Sequence, residues 1–143
     1  MTESANELTT PRLHLRWMTA DDAGLLLAIW NDPAFVLHVG DRGVRTLEEA
    51  IDAFRAGPER LYRDYGYGPY RVGLRDTGEA IGICGLFRRD GLPDPDIGFA
   101  FLPAFVGKGY GGESARAVVA HARDALGFPR LTAIVSPGNA PSI

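Results

Sequence analysis

The sequence predicts a single α/β domain, residues 1–143, that is organised around a mixed β-sheet. Alternating apolar and polar runs predict strands, and apolar residues at three- and four-residue spacing predict helices. The predicted order is a strand, two helices, three strands, a helix and a last strand. The three consecutive strands can pair as an antiparallel meander, whereas the two strands that flank the last helix must be parallel.

The N-terminal part of the chain is expected to begin with disorder and then to form a strand and a helix. Residues 1–10 are polar and are expected to be disordered. Residues 12–17 alternate between polar and apolar side chains, which predicts a half-buried strand. Thr19 is a good N-cap for a helix, and Pro33 marks its end. The residues predicted to face inward from this helix are Ala23, Leu26, Leu27 and Trp30.

A second helix is predicted after a loop over residues 34–45. Thr46 and Glu49 have the spacing of a capping box, which marks the start of the helix. Pro58 follows a glycine and interrupts the helix, but proline is tolerated at a first helical position, so a short continuation over residues 59–65 is expected. The apolar stripe of the second helix is predicted to consist of Leu47, Ala50, Ile51 and Phe54.

Four further strands are predicted in the second half of the chain. Residues 67–75 and 80–88 form a predicted hairpin around a short polar turn. Residues 96–102 and 130–136 are predicted to be the two parallel strands. Pro103 ends the first of these, because proline cannot donate a hydrogen bond to a sheet.

The glycine-rich turn between the two parallel strands is the most informative segment of the chain. Four glycines fall within residues 107–112, and Glu113 is predicted to open a helix that ends at Gly127. Glycines let the backbone approach a ligand closely, and the first amides of a helix are unpaired and carry a partial positive charge. The turn therefore predicts binding of a phosphate or diphosphate. The predicted buried stripe of the helix is Ala115, Val118, Val119, Ala122 and Leu126.

Two common phosphate-binding motifs fit this turn poorly. The P-loop motif needs a lysine where Glu113 stands, and a carboxylate there would repel phosphates. The dinucleotide motif G-x-G-x-x-G matches at Gly107, Gly109 and Gly112. That motif also needs an acidic residue about 20 positions further on to hold a ribose. The strand that ends near Ser136 offers none.

A third pattern, (Gln/Arg)-x-x-Gly-x-(Gly/Ala), lies at residues 106–111. With the strand before it and the helix after it, this segment resembles the acetyl-coenzyme A motif of the GNAT N-acetyltransferase superfamily. The resemblance is closest to the branch of ribosomal-protein alanine acetyltransferases, where the stretch typically reads IGFxFLPxxxGKGYxxEA. Residues 136–143 resemble the xxNxxSI segment of the same family. Val106 departs from the Gln or Arg of the motif, which removes one side chain that could assist the pyrophosphate.

The resemblance implies a GNAT-like acyltransferase fold that lacks the last helix and two strands of the family, since the chain stops at Ile143. An exposed sheet edge would follow, and a homodimer is therefore expected. The resemblance also implies acetyl-coenzyme A as a cosubstrate, with its pantetheine between the two parallel strands. The cofactor-binding residues that it implies are Phe101, Leu102, Lys108, Gly109, Gly111, Gly112, Asn139 and Ser142.

The implied reaction is direct attack of a primary amine on the thioester, which requires a base that takes a proton from the amine. Asp96 is one candidate, because many relatives carry Glu at the start of this strand. His38 is the other, because the loop that holds it lines the acceptor site in relatives. The acceptor is a small-molecule or peptide amine that the sequence does not specify, and no metal is expected.

Composition excludes several other classes of protein. A hydrophobic content of 45% and a charged content of 23% are ordinary for a soluble globular protein. The net charge of −3 argues against a nucleic-acid partner. The sequence lacks a signal peptide and any apolar run of about 18 residues, so a cytoplasmic protein without a membrane partner is expected. Cys84 is the single cysteine, which excludes an intramolecular disulfide, and it is expected to be buried.

Two alternatives to an active N-acetyltransferase remain open at this stage. A catalytically degenerate acyl-CoA-binding or regulatory protein of the same fold would keep the cofactor cleft without turnover. A nicotinamide or flavin enzyme would rest on the G-x-G-x-x-G match alone.

Overall fold

A mixed sheet forms the centre of the computed structural model, which describes residues 7–38, 43–87, 95–124, 127 and 132–133. Within these residues the sheet has six strands, which lie side by side in chain order. The first five strands pair in antiparallel fashion, and the last pair is parallel. The strands are β1 (Glu7–Thr9), β2 (Leu13–Trp17), β3 (Pro69–Leu74), β4 (Ala80–Phe87), β5 (Asp96–Phe101) and β6 (Thr132–Ala133).

Helices cover both faces of this sheet. One helix follows β5, and the others lie between β2 and β3. Short 3-10 turns over Ala20–Asp22 and Pro103–Phe105 lead into the first helix and out of β5. None of the helices in the described residues is long and apolar enough to cross a membrane. The helices are α1 (Ala23–Trp30), α2 (Pro33–His38), α3 (Leu47–Ala56), α4 (Pro58–Tyr65) and α5 (Tyr110–Asp124).

The predicted strand order and directions are confirmed. β3, β4 and β5 form the expected antiparallel meander, and β5 pairs in parallel with β6, with Asp96 opposite Thr132. Both helix starts inferred from capping residues are also confirmed, since Thr19 and Thr46 each form a capping box. The mixed α/β fold class therefore follows from local sequence patterns.

Each face of the sheet carries its own hydrophobic cluster. On one face, α5 packs against β1, β2, β4 and β5. On the other face, α1 and α3 pack against each other and against Ile83 of β4. The α5 face is built mainly from Leu13, Leu15, Val72, Cys84, Leu86 and Val118, and the opposite face from Ala23, Leu26, Ile29, Ala50, Phe54 and Ile83.

The expectation of disorder over residues 1–10 does not hold for the part that the structure describes. Glu7–Thr9 form β1, with Leu8 opposite Leu15 of β2. Leu8 is buried between two exposed neighbours, which is the ordinary alternation of an edge strand. A strand of three residues is too short for this alternation to stand out in the sequence.

The loop expected over residues 34–45 begins with a helix instead. Pro33 is the first residue of α2, where its fixed φ and missing N–H suit a helix start. Asp32 caps this start, because its side chain accepts a hydrogen bond from the Phe35 amide and its carbonyl accepts one from the Val36 amide. Proline was therefore correctly interpreted as the end of α1 but also begins the next helix.

The buried stripes differ from the predicted ones at a few positions. Leu27 is only half-buried and Ile29 takes its place, while Leu47 is 52% exposed at the start of α3. α5 begins at Tyr110 rather than at Glu113, because two of the glycines belong to its first turn. In α5 Ser114 is fully buried together with the predicted Val118 and Ala122, whereas Val119 is exposed.

Candidate functional site

The segment between β5 and α5 has a backbone that only glycine adopts easily. β5 ends at Phe101, and the amide of Leu102 still donates to the carbonyl of Ile81, at 2.9 Å. After the 3-10 turn, Gly107 and Gly109 have φ angles of 81° and 85°, in the left-handed region. We call residues 107–112 the glycine loop.

The amides at the end of the glycine loop are open. The first hydrogen bond of α5 runs from the Glu113 amide to the Gly109 carbonyl, at 3.1 Å. The amides of Tyr110, Gly111 and Gly112 therefore precede the first helical bond. Within the described part of the chain, no hydrogen bond is recorded for these three amides. Gly109 has no side chain that could cap them, so they and the partial positive charge of the helix are available to an anion.

The glycines of the loop serve different purposes. Gly107 and Gly109 provide the left-handed backbone. Gly111 is needed for packing, because a Cβ built there would stand 2.7 Å from Cε2 of Phe99 on β5. Among the described residues outside its own helix backbone, a Cβ at Gly112 would meet only the flexible end of Arg116, at 3.2 Å. The start of α5 therefore lies directly on the ring of a β5 residue.

β5 directs alternate amides to its two neighbours. The Leu102 amide is directed to β4, so Phe101 directs its amide and carbonyl to the opposite side, where β6 lies. In the described residues, the pairing with β6 reaches only Asp96 and Ile97. The backbone of Phe101 could thus contact a ligand that lies beside β5, whereas the amide of Leu102 is already used.

A cation from the other end of the chain lies beside the glycine loop. Arg12, in the turn between β1 and β2, donates from Nε to Oε1 of Glu113 at 2.7 Å and from Nη1 to the Lys108 carbonyl at 3.1 Å. Its guanidinium lies 4.5 Å from the centre of the Tyr110 ring. These contacts fasten the turn between β1 and β2 to the glycine loop.

Glu113 has three donors around its carboxylate. Besides Nε of Arg12, the backbone amide of Arg12 and the hydroxyl of Thr10 donate to Oε2, at 3.0 and 2.5 Å. Burial opposes ionisation of the carboxylate, but these hydrogen bonds and the Arg12 charge outweigh it and hold the pKa of Glu113 below its ordinary value. Glu113 is thus ionised, and its charge is met by Arg12.

The two candidate bases belong to elements other than the glycine loop. Asp96 is 3% exposed and begins β5, between Phe87 of β4 and Thr132 of β6. Phe101 is five positions further along the strand, a distance of about 17 Å. His38 is the last residue of α2. Asn139 and Ser142 lie outside the described residues.

The structure therefore brings together only part of the predicted site. Phe101 and Leu102 at the end of β5 lead within a few residues to Lys108, Gly109, Gly111 and Gly112. Arg12 was missed, because it was interpreted only as the first residue of a strand. The contact between Arg12 and Glu113 depends on the tertiary fold, and no local sequence pattern predicts it.

Comparisons with known proteins agree with this geometry. The sequence model of the acetyltransferase (GNAT) domain matches residues 12–143. An acetyltransferase structure from Agrobacterium tumefaciens str. C58 is 27% identical with a TM-score of 0.81, over 99% of this chain and 81% of that chain. A protein of Bacillus licheniformis named uncharacterized N-acetyltransferase p20 is 28% identical over 137 residues, which are 95% of this chain and 76% of that protein.

The fold similarity extends to a ribosomal L7/L12 α-N-protein acetyltransferase, whose structure is a complex with coenzyme A. This similarity has a TM-score of 0.66 over 80% of this chain and 66% of that chain, at 18% identity. At that identity, only the fold is shared with certainty.

Proposed function

Because this chain belongs to the acetyltransferase (GNAT) family, which implies acetyl transfer, we propose that it is an acetyl-coenzyme A-dependent N-acetyltransferase. The acceptor in this proposal is a primary amine of a small molecule or a peptide. The observation that carries the proposal is the open start of α5, where three successive amides make no hydrogen bond to any described residue and Gly111 packs on Phe99 of β5. Family membership favours acetyl transfer over a nicotinamide or flavin reaction.

The glycine loop has features that fit the diphosphate of coenzyme A. Amides of Gly109, Gly111 and Gly112 would bind its oxygens, together with the amide of Lys108. The exposed Lys108 side chain adds a positive charge at the same place. Two left-handed glycines and the absence of a capping side chain leave room for the ligand.

The backbone of β5 fits the amide-bearing pantetheine arm. Phe101 directs its N–H and C=O groups to the β6 side, and an extended arm can satisfy such groups as an added strand would. Leu102 would contribute its carbonyl or side chain, since its amide is bonded to Ile81. The proposed site also includes Asn139 and Ser142, which lie beyond the described residues.

Acetyl-coenzyme A supplies a thioester carbonyl that an uncharged amine can attack. The attack forms the amide bond and breaks the carbon–sulfur bond, so coenzyme A leaves as a thiolate that takes a proton from water. The protein must accept the proton that the amine loses, and Asp96 is the group that we propose for this role. It lies on β5, in the strand that carries the proposed pantetheine contacts, and strand alternation puts it on the same face as Ala100, which packs in the α1–α3 cluster. His38, at the end of α2, is the second candidate.

Calorimetric titration of the purified protein with acetyl-coenzyme A, coenzyme A and NAD tests the cosubstrate. We expect binding of both coenzyme A forms and none of NAD. Binding of NAD without binding of coenzyme A would refute the proposal. Thiol release from acetyl-coenzyme A should then be followed with a panel of amines and N-terminal peptides as acceptors. Binding without thiol release on every acceptor would favour the catalytically degenerate alternative.

The single cysteine leaves the thiol assay free of background. Cys84 is fully buried on β4, and burial raises the pKa of its thiol to about 12, although a hydrogen bond with Ser114 opposes the shift. The reactive thiolate is therefore absent at neutral pH. A thiol reagent that does not unfold the protein will report only the coenzyme A that is released.

A further inference from the structure

The motif at residues 106–111 lacks the Gln or Arg side chain of its first position, which directly precedes the glycine loop. Val106 stands there, 51% exposed, and an apolar side chain cannot donate to a phosphate. Apart from the exposed Lys108 side chain, only backbone amides would then face a ligand that carries several negative charges. A cation that neighbours the loop would supply the missing interaction.

Arg12 is such a cation. A Cβ built at Gly109 would stand 3.3 Å from Nη2 of Arg12, so this nitrogen lies against the backbone that the ligand must approach. Nε and Nη1 are engaged by Glu113 and Lys108, whereas no hydrogen bond of Nη2 is recorded among the described residues. The Arg12 side chain is 46% exposed, so its free edge is accessible.

The surrounding contacts hold Arg12 in this position. Glu113 takes one nitrogen, the Lys108 carbonyl takes a second, and the Tyr110 ring packs against the guanidinium. Such a preorganised guanidinium loses little side-chain entropy when a ligand binds. The pair also neutralises Glu113, whose carboxylate would otherwise repel a diphosphate in the first turn of α5.

We propose that Arg12 is a cofactor-binding residue, whose Nη2 edge donates to the diphosphate of coenzyme A in place of the side chain missing at position 106. This inference rests on the proposed function, because it concerns the same site. It assigns to the turn between β1 and β2 a direct part in cofactor recognition.

A purely structural role for Arg12 is the alternative, and Arg75 provides the matched control. Nη1 of Arg75 donates to the carbonyls of Thr10 and Pro11, at 3.0 and 3.5 Å, and so supports the same turn. Within the described part of the chain, Arg75 makes no hydrogen bond to the glycine loop. Arg75→Met therefore loosens the turn without removing the cation at the loop. Arg12→Met keeps an apolar side chain over the Tyr110 ring and removes the guanidinium group.

The experiment is calorimetry with coenzyme A and with dephospho-coenzyme A, which keeps the diphosphate but lacks the 3′-phosphate. We expect Arg12→Met to bind both ligands about tenfold more weakly than the unmodified protein, the loss typical of one charge-assisted hydrogen bond. Arg75→Met should bind both ligands as the unmodified protein does. A loss confined to coenzyme A would assign Arg12 to the 3′-phosphate and overturn the proposal.

Glu113→Gln distinguishes a cofactor-binding role of Arg12 from a structural role, because the two roles predict opposite changes in the affinity for coenzyme A. If the ion pair only holds the structure together, Arg12→Met and Glu113→Gln should both weaken the binding of coenzyme A. If Arg12 acts on the diphosphate, Glu113→Gln removes a repulsive charge and frees that of Arg12, so coenzyme A should bind more tightly. This second variant keeps the proposal testable even if Arg12→Met does not fold.

Two negative outcomes have different meanings. If the unmodified protein does not bind coenzyme A, the proposed function fails and this inference fails with it. If the unmodified protein binds coenzyme A but Arg12→Met binds it equally well, or Arg75→Met is impaired to the same extent, only the role of Arg12 is refuted.

Discussion

Gly111 at the start of α5 lies against the ring of Phe99 on β5, with 2.7 Å between a Cβ built at Gly111 and Cε2 of the ring. Such a distance is well inside van der Waals contact, so the absence of a side chain at Gly111 lets the helix approach the strand. The contact fixes where the open amides of α5 lie relative to the end of β5. Packing, as well as ligand binding, therefore accounts for this glycine.

Gly111→Ala should destabilise the fold. The added methyl group overlaps the Phe99 ring, and overpacking of this kind costs about 1–3 kcal/mol, of which the better helix propensity of alanine recovers about 0.5–1 kcal/mol. Denaturant unfolding measures the net loss. In a Phe99→Leu background the same substitution should cost nothing or stabilise the protein. An equal cost in both backgrounds would contradict the packing explanation.

Gly112→Asp should weaken coenzyme A binding while leaving the fold at least as stable. The position is helical and its φ is not in the left-handed region. Of the residues that the structure describes, leaving out its own helix backbone, a Cβ there would meet only the flexible end of Arg116. A carboxylate in the first turn stabilises a helix but repels a diphosphate bound there. We expect affinity to fall by about tenfold or more by calorimetry. Gly112→Asn, with the same shape and no charge, is the control and should lose much less affinity.

Asp96→Asn tests the proposed base. The substitution preserves the shape of a buried side chain, so thermal stability should change little. If Asp96 accepts the proton of the amine, turnover should fall by about 100-fold or more, with the affinity for coenzyme A unchanged. Thiol-release kinetics with an accepted amine provide the measurement. Unchanged turnover would exclude Asp96 as the base and direct attention to His38→Gln.

Acidification should remove the contribution of Glu113 to stability. The pKa of this carboxyl is lowered in the folded protein from an ordinary value of 4.5. The unfolded chain therefore binds the proton more readily, so the stabilisation is complete above that value and is lost as pH falls through the lowered pKa. Glu113→Gln should be less stable than the unmodified protein near pH 7, and the difference should shrink below about pH 4. A difference that is constant with pH would contradict the ionic interpretation.

Local patterns predicted the elements that depend on neighbouring residues. Thr46 and Glu49 form the predicted capping box, because both partners lie within one turn of chain. The end of β5 and the glycine loop were likewise recognised from proline, glycine and apolar residues close together in sequence. These features need no knowledge of the rest of the fold.

Features that depend on distant partners were missed or misjudged. β1 is held by its pairing with β2, and Leu8 is buried because Leu15 lies opposite. Ser114 is buried, although serine is usually exposed, because α5 turns this position to the sheet. The place of Arg12 beside the glycine loop depends on the complete sheet. Each of these facts is set by tertiary packing, which overrides local preference.

The hydrogen bonds between Arg12 and Glu113 join residues that are 101 positions apart. During synthesis the first hairpin emerges long before its partner, so the glycine loop cannot reach its final form until most of the chain has been made. Closing so long a segment is slow, and contacts of this range dominate the folding time of small domains. A ligand that recognises only the finished loop is then expected to slow unfolding rather than to speed folding. Bound cosubstrate would thus lengthen the lifetime of the folded state.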